Sequence, residues 1–324
     1  MPKILHTARY TGLPLEILQN ACPQGFTVKT LDELSYQQLV KEAVDADYFL
    51  VSGRLPIDNV VLDAAKKLKM IQRTGVGTDM LDKETIKKKG IPVYVNAGVN
   101  SRSVAEHTMM LILATLKRLP QINEQMHNGV WKKQLSGVST NELYGKTVGI
   151  VGMGHVGRLV ASMLRPFGAN LIYTDVVRHS ECEEKELGLT YIRSFTELLS
   201  LVDILTLHCP MVTENLEALN ANTIALMKEG AIIINTARGK LINPDALYDS
   251  LKSGHIKAAA LDTHYEEPIK EGYKLAELDN VILTPHIGGL SYEAFHQMMH
   301  DAMENIKVFE LGRLSEIEDK KLSL

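Results

Sequence analysis

Short apolar runs alternate with stretches of helical period along almost the whole chain. In the first hundred residues the runs at 4–5, 26–28, 48–51 and 92–95 read as strands. Residues 56–67 and 80–89 read as helices between them, the second stopped by Gly90. A long helix rich in apolar residues is expected over 103–119, and a polar stretch without a clear period follows from 121 to 144. From Lys146 a second alternating series begins, with strands expected at 147–151, 170–173, 203–207, 231–234, 257–261 and 281–283. One of its helices is well marked: Asn243 as N-cap, Pro244 at the first position and Gly254 just past the end. A final helix is expected after Gly289, running to about Leu311. Such alternation predicts two α/β domains, each built on a parallel sheet covered on both faces.

Composition narrows the class. At 324 residues, 45% hydrophobic and 23% charged, the chain has enough material for two ordinary globular cores. A formal net charge of -4 argues against a general nucleic-acid binder. Three widely spaced cysteines, Cys22, Cys182 and Cys209, form no CxxC pair and suit a reducing compartment better than a disulfide framework. The apolar run at 109–116 is too short to span a bilayer, and residues 1–5 lack a signal-peptide core. A cytoplasmic protein with no membrane partner and no metal site is the expectation.

The sharpest local signal is Gly152-Met153-Gly154-His155-Val156-Gly157, which follows an apolar strand and opens a helix. In that setting Gly154 lets the backbone approach a pyrophosphate, and the helix N-terminus presents N–H groups and the positive end of its dipole. The next strand ends at Asp175, 18 positions after Gly157, where a carboxylate would accept hydrogen bonds from ribose hydroxyls and repel a 2′-phosphate. That favours NAD over NADP, although Arg178 stands close enough to accommodate a phosphate. Three later strands are each followed at once by a reactive residue. One leads to Asn235-Thr236-Ala237-Arg238-Gly239, one to Asp262 and then Glu267-Pro268, and one to Thr284-Pro285-His286-Ile287-Gly288-Gly289. Hydride transfer at an alcohol carbon needs a base for the hydroxyl proton, a cation for a carboxylate, and a group that orients the base. His286, Arg238 and Glu267 fit these needs in that order.

These motifs, with Gly75-Val76-Gly77-Thr78-Asp79, Ser103-Val104-Ala105-Glu106-His107, Gly129-Val130-Trp131 and Leu207-His208-Cys209-Pro210, resemble the D-isomer-specific 2-hydroxyacid dehydrogenases over nearly the whole chain. The resemblance implies a Rossmann NAD-binding domain, residues 100–289, inserted into a flavodoxin-like substrate domain made of residues 1–99 and 290–324. It implies that Arg238 binds a small 2-oxo or 2-hydroxy acid and that His286 is the acid/base with Glu267 as partner. The backbone N–H groups of Val76 and Gly77 would hold the substrate carboxylate. Asp262 would lie on the nicotinamide side, with Pro210 and Thr213 near the adenosine. His208, Thr236, Ala237 and Gly288 complete the implied cofactor set, and a homodimer is the implied assembly. Arg54, after the strand at 48–51, is a candidate for a second anionic group of the substrate.

The chain departs from the family in places. Thr263-His264 stand where a bulky apolar pair is usual, and the proline common before Gly98 is missing. No C-terminal regulatory extension is expected, and with it no serine-type feedback. Two rival readings remain on these residues: an NAD-sensing binding protein of the corepressor kind, and a formate or phosphite dehydrogenase of the same superfamily.

Overall fold

The computed structural model describes residues 1–52 and 55–324. The chain divides into two compact units, one of Met1–Asn100 with Tyr292–Leu324 and one of Ser101–Ser291.

The first unit carries five parallel strands, β1 (Lys3–His6), β2 (Thr27–Thr30), β3 (Tyr48–Val51), β4 (Met70–Arg73) and β5 (Val93–Tyr94), in the order β2-β1-β3-β4-β5. That is the flavodoxin-like order, with its reversal between β1 and β3. Helices Leu13–Ala21, Tyr36–Ala43, Asn59–Ala64 and Lys83–Lys89 link the strands, and Tyr292–Glu310 returns to this unit from the end of the chain. Every residue of β3 and β4 is buried, as strands covered on both faces must be.

The periodicity passes over β4 because its run breaks at Gln72 and Arg73. Both are buried, and each meets hydrogen-bond partners: the Gln72 amide donates to Arg73 O and Asn96 Oδ1, and Arg73 Nη1 donates to Val51 O at 2.6 Å. The helix expected over 56–67 is shorter, Asn59–Ala64. It starts where Asp58 Oδ1 accepts from the N–H groups of Val60 and Val61, both at 3.1 Å. The helix ending at Gly90 likewise begins late, at Lys83, capped by Asp82.

The second unit holds seven parallel strands: β6 (Thr147–Val151), β7 (Asn170–Thr174), β8 (Leu189–Tyr191), β9 (Ile204–Leu207), β10 (Ala231–Asn235), β11 (Ile256–Leu261) and β12 (Val281–Leu283). Their order, β12-β11-β10-β9-β6-β7-β8, reverses between β6 and β9. Such a reversal opens a crevice at the carboxyl ends of the strands. Asn243 caps Pro244–Ser253 by accepting from Ala246 N at 2.9 Å, and Gly254 closes it in the left-handed region, as its sequence signals require. The long helix runs Ser101–Leu116. Just beyond it Arg118, at φ 50°, turns the chain into a separate helix, Leu119–His127. That helix and Lys133–Val138 occupy the stretch that shows no period, and neither buries a single residue. Without a face to bury, a helix writes no apolar stripe into its sequence. β8 is a three-residue edge strand, too short to register as an alternation.

Among the described residues no helix is long and apolar enough to cross a membrane.

In the first unit a buried polar chain ties β4 and β5 to the C-terminal segment. Asn96 Nδ2 donates to Thr74 O and Met298 O, its Oδ1 accepts from Gln72 and Asn305, and Lys320 donates to Asn305 Oδ1 at 2.9 Å. Replacing Asn96 by alanine leaves two buried carbonyls and two amides short of partners. The expected cost is about 2–3 kcal/mol, read as a lower urea midpoint; an unchanged midpoint would show that the chain carries no stability.

Candidate active site

All seven strands of the second sheet run the same way, so every strand exit lies on one edge of that sheet. Two groups of residues gather there.

The first lies at the reversal. The Gly152–Gly157 loop leaves β6, and the helix His155–Leu164 opens directly from it. Gly157 is buried, and a Cβ there would lie 2.1 Å from Gly152 O, so only glycine lets this helix start against the loop. Gly152, at φ 94°, packs on the exit of β9, where a Cβ would meet Cys209 N at 2.6 Å. Gly154 is the opposite case: exposed, with nothing within 4 Å of the point a Cβ would occupy. His155 and Val156 form the first turn of the helix. Asp175, at the exit of β7, accepts from Met153 N–H at 2.6 Å through one carboxylate oxygen, while the other receives only a long 3.4 Å contact from Val177 N–H. His208 closes the other side of the reversal, its N–H donating to Val151 O at 2.7 Å. Burial pushes the His208 imidazole down to about 3, so the ring is neutral beside the Thr206 hydroxyl at 2.9 Å. Pro210 follows on the surface, and Thr213 starts a short 3₁₀ turn.

These features fit a dinucleotide. The loop has open space at Gly154 where a backbone must approach a pyrophosphate, N–H groups at a helix start, and a carboxylate with acceptor capacity left for ribose hydroxyls.

The second group lies at the exits of β10, β11 and β12. His286 Nδ1 stands 2.7 Å from Glu267 Oε2, and the other Glu267 oxygen accepts from His264 N–H at 2.9 Å. Burial works to raise the Glu267 carboxyl, but the bond from His286, helped by that from His264 N–H, outweighs it and keeps the group below the ordinary carboxylate range. An ionised Glu267 puts the proton on Nδ1 and leaves Nε2 as the reactive nitrogen. The His286 backbone sits at φ 56°, a left-handed conformation that a residue with a Cβ adopts at a cost of roughly 1–2 kcal/mol.

Arg238 follows β10, with its Nη1 donating to Ala237 O at 2.8 Å and its carbonyl accepting from Asn235 Nδ2 at 2.9 Å. Asn235 Oδ1 also takes Ala237 N–H, and the Thr236 hydroxyl meets that of Thr108 at 2.9 Å. A Cβ on Gly239 would fall 2.0 Å from the His264 carbonyl, so glycine there lets the Arg238 turn press against the loop that carries Glu267.

Asp262, only 1% exposed, organises this end of the sheet. Its Oδ1 accepts from the Thr284 hydroxyl at 2.6 Å and Ile287 N–H at 3.0 Å, and its Oδ2 accepts from Gly288 N–H at 2.8 Å. Two residues of the Ser103–His107 motif on the long helix, to which the sequence assigned no role, help here. His107 Nε2 lies 3.1 Å from the Thr284 hydroxyl and 3.4 Å from Asp262 Oδ1, and the Ser103 hydroxyl donates to Gly288 O at 2.7 Å. Their i, i+4 spacing in an otherwise apolar-rich helix is the signal that could have found them. His264 also joins in: its Nε2 bonds Thr284 O at 2.9 Å, and its backbone N–H serves Glu267. Val76 and Gly77 belong to the first unit, in the loop after β4, where Arg73 Nε donates to Gly77 O. Arg54 lies outside the described residues.

Burial alone would raise the Asp262 carboxyl; the hydrogen bonds from His107, Thr284, Ile287 and Gly288 override it and hold the group at about 2, against an ordinary 3.8. A depressed carboxyl stabilises the fold above its unfolded value and ceases to do so as pH falls through the folded one. The thermal midpoint is therefore expected to drop between pH 4 and pH 2, with about 2 kcal/mol of that loss due to Asp262. Asp262→Asn should be less stable at neutral pH, and its gap to the native chain should close over the same window. A constant gap would rule out the carboxylate charge as the cause.

Residues 109–288 match the model of the D-isomer specific 2-hydroxyacid dehydrogenase family's NAD binding domain. The chain is 39% identical over 290 residues to a D-3-phosphoglycerate dehydrogenase of Methanocaldococcus jannaschii, covering 89% of this chain and 54% of that protein. It is 33% identical over 282 residues to a glyoxylate reductase of Korarchaeum cryptofilum, covering 86% of this chain and 84% of that one. A crystal structure of D-lactate dehydrogenase from Aquifex aeolicus, complexed with NAD and lactic acid, superposes with a TM-score of 0.86 at 29% identity, covering 99% of this chain and 98% of that one. The chain spans about half the length of the phosphoglycerate dehydrogenases it matches. With its family model, these relatives and both parallel sheets in agreement, the chain belongs to the D-isomer specific 2-hydroxyacid dehydrogenase family.

Proposed function

We propose that the chain is an NAD-dependent dehydrogenase that interconverts a small 2-oxo acid and the corresponding D-2-hydroxy acid. The observation that carries this reading is the His286–Glu267 pair at 2.7 Å, with Arg238 at the exit of β10, in the same sheet as a dinucleotide loop.

The residues divide the work as follows. When bound, NADH supplies a hydride to the substrate's C2. His286 Nε2 gives a proton to the carbonyl oxygen as that oxygen gains charge, and takes it back in the oxidative direction. Glu267 holds the ring by Nδ1 and stabilises the imidazolium form. Arg238 polarises the carbonyl and binds the carboxylate. The N–H groups of Val76 and Gly77 are assigned to substrate binding, and Met1–Asn100 with Tyr292–Leu324 is accordingly assigned as the substrate unit. Asp262 fixes the loop that bears His286 through the N–H groups of Ile287 and Gly288, and Asp262 and Gly288 are assigned to the nicotinamide side. His208, Pro210 and Thr213 are assigned to the adenosine side, and Thr236 and Ala237 to the nicotinamide half.

We assign a homodimer and a cytoplasmic location on the same footing. Trp131, Val138 and Tyr144 of the second unit are 75%, 81% and 78% exposed, apolar side chains that we assign to cover by a second copy. The three cysteines are unpaired, as a reducing compartment requires.

NADH oxidation assayed against glyoxylate, hydroxypyruvate, pyruvate and phosphohydroxypyruvate tests the activity. His286→Ala is expected to lose roughly 100- to 10,000-fold in kcat. Arg238→Lys keeps the charge but loses the planar fork, and a raised KM is expected along with a lower kcat. If no 2-oxo acid is turned over while NADH binds tightly, the enzyme reading falls and a nucleotide-sensing role replaces it.

The glycines separate binding from folding. Gly154→Ala is expected to keep the native thermal midpoint and lose NADH affinity, whereas Gly157→Ala, with no room for its Cβ, should lower the midpoint as well. Equal midpoints for the two would contradict the packing at Gly157. Light scattering should report twice the 36.0 kDa chain mass, and Val138→Glu should halve it.

A further inference from the structure

Two arginines border Asp175, and each is engaged by a glutamate. Arg178, three positions past Asp175, extends a side chain that is 54% exposed, yet the Nε–Nη2 edge of its guanidinium is held by Glu184: Nε to Oε1 at 2.9 Å and Nη2 to Oε2 at 2.8 Å. Glu184 is itself fixed. It is buried, and its Oε1 also accepts the Tyr173 hydroxyl from the middle of β7 at 2.8 Å. Arg158, on the helix that opens from the glycine loop, donates Nε to Met153 O at 3.2 Å and places Nη1 3.2 Å from Glu183 Oε1. Glu183 is locked by the Ser180 capping box, whose N–H and hydroxyl both donate to its Oε2.

The neighbourhood of the ribose acid thus sets three carboxylates against two guanidiniums, and the guanidinium nearest in sequence has its Nε–Nη2 edge already paired. A 2′-phosphate carries close to two negative charges and would seek such a fork. Here it meets the Asp175 charge, and the Nε–Nη2 fork of Arg178 is already filled by Glu184. A released Arg178 would offer that phosphate a ligand, which counts only once the Asp175 charge is removed.

We propose that Glu184 is a specificity determinant for the cofactor: by holding Arg178 in a bidentate pair, it withholds a latent 2′-phosphate ligand and adds to the exclusion of NADP by Asp175. This rests on the reading of the glycine loop as the NAD site. Glu184 touches neither substrate nor cofactor and acts through Arg178.

The test is a titration of native enzyme, Glu184→Gln, Asp175→Ser and the double variant with NADH and NADPH, followed by nucleotide fluorescence, with no substrate present. Glu184→Gln keeps an acceptor for the Tyr173 hydroxyl, and its thermal midpoint reports folding. Alone, it should leave NADH affinity unchanged and NADPH binding weak, because Asp175 still repels the phosphate. The double variant should bind NADPH at least roughly tenfold more tightly than Asp175→Ser does. That gain should shrink with added salt and vanish when Arg178→Gln is added. If the double variant binds NADPH no better than Asp175→Ser, or keeps its gain without Arg178, the proposal is overturned while the NAD site stands. If the native enzyme binds neither nucleotide, the NAD reading itself fails.

Discussion

A single buried carboxylate holds together the end of the second unit where β10, β11 and β12 exit. Asp262 directly follows β11 with its carboxylate inside the protein, and such a charge persists only where donors surround it. The donors come from one neighbouring stretch: the Thr284 hydroxyl and the N–H groups of Ile287 and Gly288. They bracket His286, so the chain cannot satisfy Asp262 without presenting the histidine from a tight turn. The left-handed backbone of His286 is a consequence of that turn. His107 adds a contact to Asp262 from the long helix, and His264, in the loop after β11, bonds the Thr284 carbonyl instead. His286 and Glu267 are thereby carried on segments pinned to the same strand ends, which fixes their mutual geometry before any substrate arrives.

Glycine serves this architecture by subtraction. At Gly157 and Gly239 a missing Cβ lets two backbones meet: the opening helix against its own loop, and the Arg238 turn against the loop that carries Glu267. At Gly154 the missing Cβ leaves open space instead. The same residue type therefore means compression at two positions and access at a third. A motif of glycines read as letters does not distinguish them.

Charge is arranged with similar economy around Asp175. Ion pairs on a surface contribute little to stability, and the pairs Arg178–Glu184 and Arg158–Glu183 are partly exposed. As proposed, the Arg178–Glu184 pair matters through what the site admits, because it determines whether that fork is available to an incoming anion.

Much was legible in the sequence because it depends on local chemistry. Alternating apolar runs announce parallel strands, Asn243, Pro244 and Gly254 delimit a helix, and the reactive residues stand directly after their strands. The order of motifs along the chain sufficed to name the family. Other features were illegible for identifiable reasons. β4 hides because Gln72 and Arg73 are polar, and only their partners in the folded chain make burial tolerable. The helices between 119 and 138 hide because they bury nothing. Whether Arg178 is available to a phosphate, whether His264 fills a turn or braces Glu267 and Thr284, and how Asp262 spends its lone pairs all depend on residues far apart in sequence. Sequence by itself determined which chemical groups the chain owns and the strand exits that carry them. Tertiary structure decided which of those groups are already engaged, because a hydrogen-bond partner is a matter of distance in space.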